Sequence, residues 1–444
     1  MKKVLACILS LVLVLGMIAP AALADDGKTT VVFWNSWTGG DGDTLQALVD
    51  KFNAENDHIF IDMTRTTSFG NMLQTALPTK EAADLILLDT NGFNTYEGYL
   101  LPMDDIFETT ALKKEDFAEG YLNMCYHSDG KLYGIPFQII TFMMYYNRDL
   151  FTAAGLDPDQ PPKTFAQWTE YAEKISALST DDKPIYGSGL FYCYDGQNAS
   201  VLERFGTFST IDQVDGEFKP VLVGNEKLTD ALLWMKDLYA RGINPLEKDI
   251  DSMMAAGQIG IMDNGGWLKG TLDASGINYG IAKLPTVTGE DVDEYSLGTM
   301  SVFSLTTSAT DETAAAAKEF IEWWIATGKG LEASDLTGGT DYSGITPNAE
   351  WSISMAYLNA YLPCINSAEY QANELLKTMT PSPTAKVAMY TPAGCLANSQ
   401  ARTVLTEYVQ QWIFDMPADA TKDDLNNMLA DYQQDLQDAI DEHY

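Results

Sequence analysis

The chain has 444 residues, 46% hydrophobic and 20% charged, with 27 Lys and Arg against 63 Asp and Glu for a formal net charge of −36. That much apolar material excludes wholesale disorder, and the length calls for two or three folding units rather than one core. The acid excess argues against nucleic acid and against an anionic membrane surface, because clustered Lys and Arg grip both.

Met1-Lys2-Lys3 is a basic head, Val4 to Ala22 is almost wholly apolar, and Ala22-Leu23-Ala24 places small residues before Asp25. This pattern predicts a secretory signal peptide cut after Ala24, hence a periplasmic or extracellular protein. Removing Lys2 and Lys3 leaves 25 basic against 63 acidic residues, a net −38. Cys7 follows Val4-Leu5-Ala6 as in a lipoprotein box, but a cut there would leave too short a leader, so no lipid anchor is expected. No later stretch reaches the ~18 apolar residues of a membrane span.

Residues 31–37 read as a strand, and Asp43 or Thr44 as the cap of a helix with Leu45, Leu48, Val49 and Phe52 on one face. Ile59 to Met63 and Ala83 to Leu88 are further strands. A second such pattern starts near 134, with helices over 165–178 and 228–238 and strands over 186–194, 258–262, 279–284 and 301–306. A helix over 314–327 follows, and from Trp351 the chain is mainly helical, ending in an acidic helix over 423–441. Alternating strands and helices predict an α/β fold of two lobes, each a mainly parallel sheet flanked by helices.

Three histidines (His58, His127, His443) lie far apart, and no phosphate-loop, HExxH or GxSxG pattern occurs. No cofactor or metal is expected: Asp41-Gly42-Asp43 lacks the downstream glutamate of a calcium loop. Cys125, Cys193, Cys364 and Cys395 include no CxxC pair, and buried thiols are the simplest reading.

Several segments, taken in order, resemble the extracellular solute-binding proteins of bacterial ABC importers, in the carbohydrate-binding family that includes the maltose-binding protein. They are Val32 to Gly39, Leu48 to Asn53, Ala83 to Ile86, Leu132 to Pro136, Tyr145 to Phe151, Pro161 to Trp168, Ala256 to Met262 and Asn264 to Trp267. The resemblance implies two lobes joined by a hinge: residues 25–137 plus 297–346 in lobe 1, and 138–296 plus 347–444 in lobe 2. It implies a monomeric receptor that closes on a carbohydrate, expected to be an oligosaccharide, and delivers it to ABC transporter permease subunits. A receptor for glycerol phosphate is the alternative within the class, and a secreted glycoside hydrolase is the alternative outside it.

In open α/β sheets ligands sit beyond the carboxyl ends of strands. Trp37 and Thr38 follow the first strand there, and Asp89 and Asn91 follow the third; the competing readings are core packing for Trp37 and a turn and helix cap for Asp89 and Asn91. Sugars present apolar ring faces and hydroxyl rims, so a site needs flat aromatics and a few fixed polar groups. By the resemblance, Gln138 lies at the first hinge crossing and Tyr192 in an aromatic loop. Gly266 and Trp267 match the family's sugar-stacking position, and Met300 lies at a hinge-proximal contact. Ile140 stands where the maltose-binding protein carries a carboxylate, which argues against maltodextrin. Trp34, Trp323 and Trp324 read as core.

Overall fold

The computed structural model describes residues 27–442 apart from 128, 192–194, 208–209, 248, 291–294, 298, 382–385, 389–394 and 396; the leader, Tyr192 and Cys193 therefore lie outside the described residues. The chain opens with β1 (Thr29–Asn35), α1 (Gly40–Glu55), β2 (Ile59–Arg65), α2 (Phe69–Ala76), β3 (Leu85–Asp89) and α3 (Thr90–Thr95). Next come β4 (Ile135–Ile140), β5 (Phe142–Asn147), α4 (Phe165–Ser176), β6 (Tyr186–Gly189), α5 (Asp195–Arg204), β7 (Ile259–Gly265) and β8 (Tyr279–Ala282). After β9 (Thr299–Leu305) follow α6 (Asp311–Glu322), α7 (Pro347–Met355), β10 (Leu358–Asn359), α8 (Asn398–Gln410) and α9 (Lys422–Asp441).

Two main sheets result, in the orders β10-β4-β9-β3-β1-β2 and β8-β5-β7-β6. β1 runs parallel to β2 and β3, and β6 parallel to β7, as βαβ units require. The reversed strands include those that arrive from the other lobe. β5 follows β4 after Thr141 alone and runs against β7 and β8; β9 returns from the second sheet and runs against β3 and β4. A strand entering from the cleft must run opposite to strands whose carboxyl ends point at the cleft. The segments of the second and third crossings also touch, with Tyr295–Leu297 pairing in parallel with Lys386–Ala388.

Two buried hydrophobic clusters form, and the first also takes in Met143, Tyr145, Ile259 and Met262 of the second sheet. Val31, Phe33, Leu45, Leu48, Val49 and Phe52 anchor the first, in the one-faced pattern expected of α1. Phe151, Trp168, Ile175, Leu232, Trp412, Leu425 and Leu429 anchor the second, and burying each such side chain contributes about 1.5–3 kcal/mol. The Trp168 indole N–H is satisfied by Ser188 Oγ at 3.0 Å.

β4 stays in the first sheet through Ile140, and β10 pairs with β4. One expectation shifts. Neither Asp43 nor Thr44 caps α1: the helix starts at Gly40 after Gly39 with no side-chain cap, and Asp43 instead accepts from Arg65 Nη1 at 3.1 Å. Gly42 lets the preceding loop pack against this first turn, since a Cβ there would lie 2.1 Å from the Trp37 carbonyl oxygen.

Gly187 tests the packing of the second lobe. A Cβ on it would meet the Ala172 carbonyl oxygen at 1.8 Å, so α4 rests directly on the β6 backbone. Gly187→Ala is expected to lower unfolding free energy by about 1–3 kcal/mol or more, read by urea titration; an unchanged midpoint would contradict this packing.

Candidate ligand-binding site

The strand directions place the carboxyl ends of β1, β2, β3 and β4 along one edge of lobe 1, and a cavity of about 260 Å³ lies there. Ser36 and Trp37 enter it from the loop after β1, Phe69 and Leu73 from α2, Asp89 from the end of β3, and Tyr96 from beyond α3. Ile140, the last residue of β4, and Ser301, near the start of β9, complete the wall facing the hinge.

Trp37 is held in place on two sides. Its backbone N–H donates to Asn35 Oδ1 at 3.0 Å, and its ring stacks on Trp351 with centroids 4.5 Å apart and planes 9° from parallel. Trp351 in turn stacks on Tyr357 at 5.9 Å and 18°. Trp37 is therefore both core-packed and cavity-lining. Asp89 likewise serves both readings: its carboxylate accepts from the Gly92 N–H at 2.7 Å as the cap of α3, while it stays exposed and lines the cavity.

Two expected contacts lie buried. Gln138 is only 2% exposed and accepts from Ser301 Oγ at 2.7 Å, deep between β9 and β10. Met300 is 0% exposed, and its backbone N–H donates to Thr90 Oγ1 at 3.0 Å. Successive side chains of a strand face opposite sides, so moving one residue along β9 exchanges the buried Met300 for the cavity-lining Ser301. Thr38 is exposed beside Trp37 but is not part of the cavity wall. Asn91 belongs to α3, with its side chain outside the described set, as is Tyr192.

Lobe 2 contributes the turn after β7. Asn264 Oδ1 accepts from the Gly265 N–H at 2.8 Å, and Asn264 Nδ2 donates to Asp251 Oδ1 at 2.6 Å. Tyr145 Oη donates to the Gly265 carbonyl at 3.0 Å. The Trp267 ring folds back over Gly265, where a Cβ would lie 2.0 Å from it, and meets Phe142 edge-on at 5.7 Å and 88°. It remains 43% exposed, a large fraction for a residue so firmly braced. Gly266 faces lobe 1: a Cβ there would meet the Ala356 carbonyl and the Tyr357 ring, each at 3.0 Å. A continuous run of contacts thus leads from Trp37 through Trp351 and Tyr357 to Gly266. Phe69, Tyr96 and Ser301 were missed from sequence. The carboxyl-end rule that marked Trp37 and Asp89 applies equally to the loop after β2, which leads to Phe69.

Burial, and then the neighbouring Asp89 charge, raise the Tyr96 phenol above its usual value, so it stays a neutral hydrogen-bonding group. No Lys or Arg is among the described residues lining the cavity. Arg65, beside the Trp37–Gly42 loop, is engaged by Asp43. Among the described residues no cluster of three or more His, Cys, Asp or Glu could hold a metal, and no helix is long and apolar enough to cross a membrane.

Two α/β sheets joined by crossing strands, with a cleft at their facing edges, define a two-lobed ligand-binding protein. The chain belongs to the bacterial extracellular solute-binding protein family, whose model matches residues 47–378. The sn-glycerol-3-phosphate-binding periplasmic protein UgpB of Shigella dysenteriae is 32% identical over 189 residues, 41% of this chain and 41% of that protein. The match thus spans about two fifths of that curated relative. Among solved structures, the cyclic alpha-maltosyl-1,6-maltose binding protein of Arthrobacter globiformis aligns with a TM-score of 0.67 at 20% identity, over 92% of this chain and 99% of its own. UgpB of Mycobacterium tuberculosis in complex with glycerophosphocholine aligns at 0.72 and 17% identity, over 94% and 99%. At these identities the structures show a shared fold.

Asp263, two residues before the glycine pair, is fully buried. Burial pushes its carboxyl up to about 8; Ser200 Oγ donates to Oδ2 at 3.4 Å, and Oδ1 has no partner among the described residues. A carboxyl whose folded pKa lies above its unfolded value of about 3.9 favours the fold most below that value. It costs stability as pH rises from about 4 towards 8, on the order of 1.4 kcal/mol per unit crossed at most. Asp263→Asn removes this ionisation. The variant's melting temperature should fall less than the parent's between pH 5 and pH 8, and parallel curves would refute the neutral, buried acid.

Proposed function

We propose that the protein is an extracytoplasmic receptor that binds a carbohydrate between its lobes and passes it to ABC transporter permease subunits. The observation that carries this reading is the cavity's chemistry: the aromatic rings of Trp37, Phe69 and Tyr96, the Ser36 and Ser301 hydroxyls, one carboxylate, and no cation among the described lining residues. Rings match the apolar faces of a sugar, while Asp89 accepts from hydroxyls without any change of protonation. Trp267 on the opposite lobe supplies the second stacking surface as the hinge at Thr141 closes. Binding to both lobes at once favours the closed form, which is how ligand occupancy is signalled to a partner. In this reading the chain acts as a monomer, without its first 24 residues and without a lipid anchor, and breaks no bond.

Glycerol phosphate is the second reading, supported by the similarity to UgpB. It would place a phosphate near Asp89 with no lining cation to balance it.

Asp89→Asn separates the two. Asparagine retains an oxygen to cap α3, so the fold is preserved, but the negative charge is gone. Calorimetry with mono- to trisaccharides, glycerol 3-phosphate and glycerophosphocholine should find a saccharide that binds the parent, about tenfold or more weakly in Asp89→Asn. Affinity for glycerol 3-phosphate that rises in the variant would instead establish the phosphate reading. Trp267→Ala should weaken saccharide binding by a similar factor with little change in melting temperature; full affinity would remove Trp267 from the site. Release of shorter products from any glycan would sink the receptor reading in favour of a hydrolase.

A further inference from the structure

A second and larger cavity, of about 510 Å³, lies on lobe 1 away from the ligand cleft. It sits between the last turns of α1, represented by Phe52 and Asn56, and the outer face of α6. Asn56 and the neighbouring His58 immediately precede β2, so the cavity opens at the amino-terminal edge of the sheet, opposite the strand ends that carry Trp37 and Asp89.

Its construction is specific. α6 passes into a π-helical turn, Trp323–Thr327, a widened geometry found disproportionately at functional sites. That turn leaves Trp323 half-buried in the cavity wall, whereas Trp324 beside it is fully buried. Trp323 is braced edge-on by Phe52 at 5.1 Å, and Phe320 lies nearly parallel to it at 6.1 Å and 19°. The chain doubles back over it at Gly328, where a Cβ would come within 2.7 Å of the indole. Both tryptophans were expected in the core, and the structure holds only one of them there.

The charges around this ring are unequally satisfied. Lys318 Nζ donates to both Asp105 carboxylate oxygens at 2.6 Å, so that pair is closed. Glu322 Oε1 accepts from the Ala111 N–H at 3.1 Å. Among the described residues Glu319 pairs with His58, at 3.0 Å in an exposed contact. Two carboxylates beside a braced tryptophan therefore have no lysine or arginine of their own in the salt bridges of the described residues. An ammonium could satisfy the charge. A guanidinium satisfies more, because its planar fork pairs with a carboxylate while its face lies on an indole.

We propose that this cavity is a docking site for an arginine side chain presented by a protein partner. Glu319 and Glu322 would receive the guanidinium, and Trp323 would provide its stacking surface. Being on the far edge of lobe 1, the contact leaves the ligand cleft free, and it does not depend on which solute the cleft binds.

The test is calorimetry of the full secreted chain with acetyl-Arg-Arg-amide, against the matching Lys-Lys and citrulline-citrulline peptides and spermidine. Arginine should bind most tightly, with at least tenfold loss in the Glu319→Gln/Glu322→Gln double variant and in Trp323→Leu. Glu332→Gln, an exposed acid outside the cavity, should bind as the parent does. Equal binding of the uncharged citrulline peptide, an unchanged double variant, or an equal loss in Glu332→Gln would overturn the proposal. Tighter binding of spermidine would overturn the protein-partner assignment. Urea melts of each variant separate lost binding from lost fold.

Discussion

The architecture depends on how strands pass from one lobe to the other. β4 and β5 are separated by Thr141 alone, so the chain enters lobe 2 without any helix to turn it round. β5 must then run against the strands already in that sheet, and β9 must do the same on its return. This constraint aims the carboxyl ends of β1, β2, β3, β4, β6 and β7 at the same gap. Every polar or aromatic group placed in the site, from Ser36 to Trp267, comes from one of those ends, from the loops and helices beyond them, or from the entering end of a crossing strand. The hinge is therefore also the floor of the site. Ile140 lines the cavity, and Phe142, two residues later, braces Trp267 from the other lobe.

Aromatic contacts connect what the backbone has aimed. Trp37 comes from the first loop of the described chain and Trp351 from a helix more than three hundred positions later, yet their rings lie nearly parallel at 4.5 Å. Tyr357 extends the stack to the backbone of Gly266. Such rings gain both from burial and from stacking geometry, and because they interdigitate they transmit displacement instead of absorbing it. Glycine makes the close approaches possible: Gly42 admits the Trp37 carbonyl, Gly265 the Trp267 ring, and Gly266 the edge of lobe 1.

Charge is distributed by burial. The surplus of acid is mostly on the surface, where it confers solubility and tells little about the fold. The informative carboxylates are few. Asp89 is exposed and set among rings in the cavity wall. Asp263 is sealed beneath the second lobe's turn and held neutral by burial near pH 7. Asp251, raised by partial burial to about 6, orders Asn264 and through it the Gly265 amide.

Sequence alone determined the alternation of strand and helix, the apolar face of α1, and the loops that carry Trp37, Asp89 and Trp267. Each of these is a local pattern, either a period of two or 3.6 or a run of turn residues after a strand. It left three things open that only the tertiary structure decided. Whether Met300 or Ser301 meets the cavity depends on β9's register against β4, set by partners far away in the chain. Gln138, polar in an apolar run, is buried with its side-chain oxygen accepting from Ser301. Trp323 and Trp324 are adjacent and chemically identical, yet the fold buries Trp324 in the core and leaves Trp323 half-buried beside Glu319 and Glu322. The physical reason is the same in all three: a side chain's role depends on which surface buries it, and that surface is assembled from residues its own neighbourhood in the sequence does not contain.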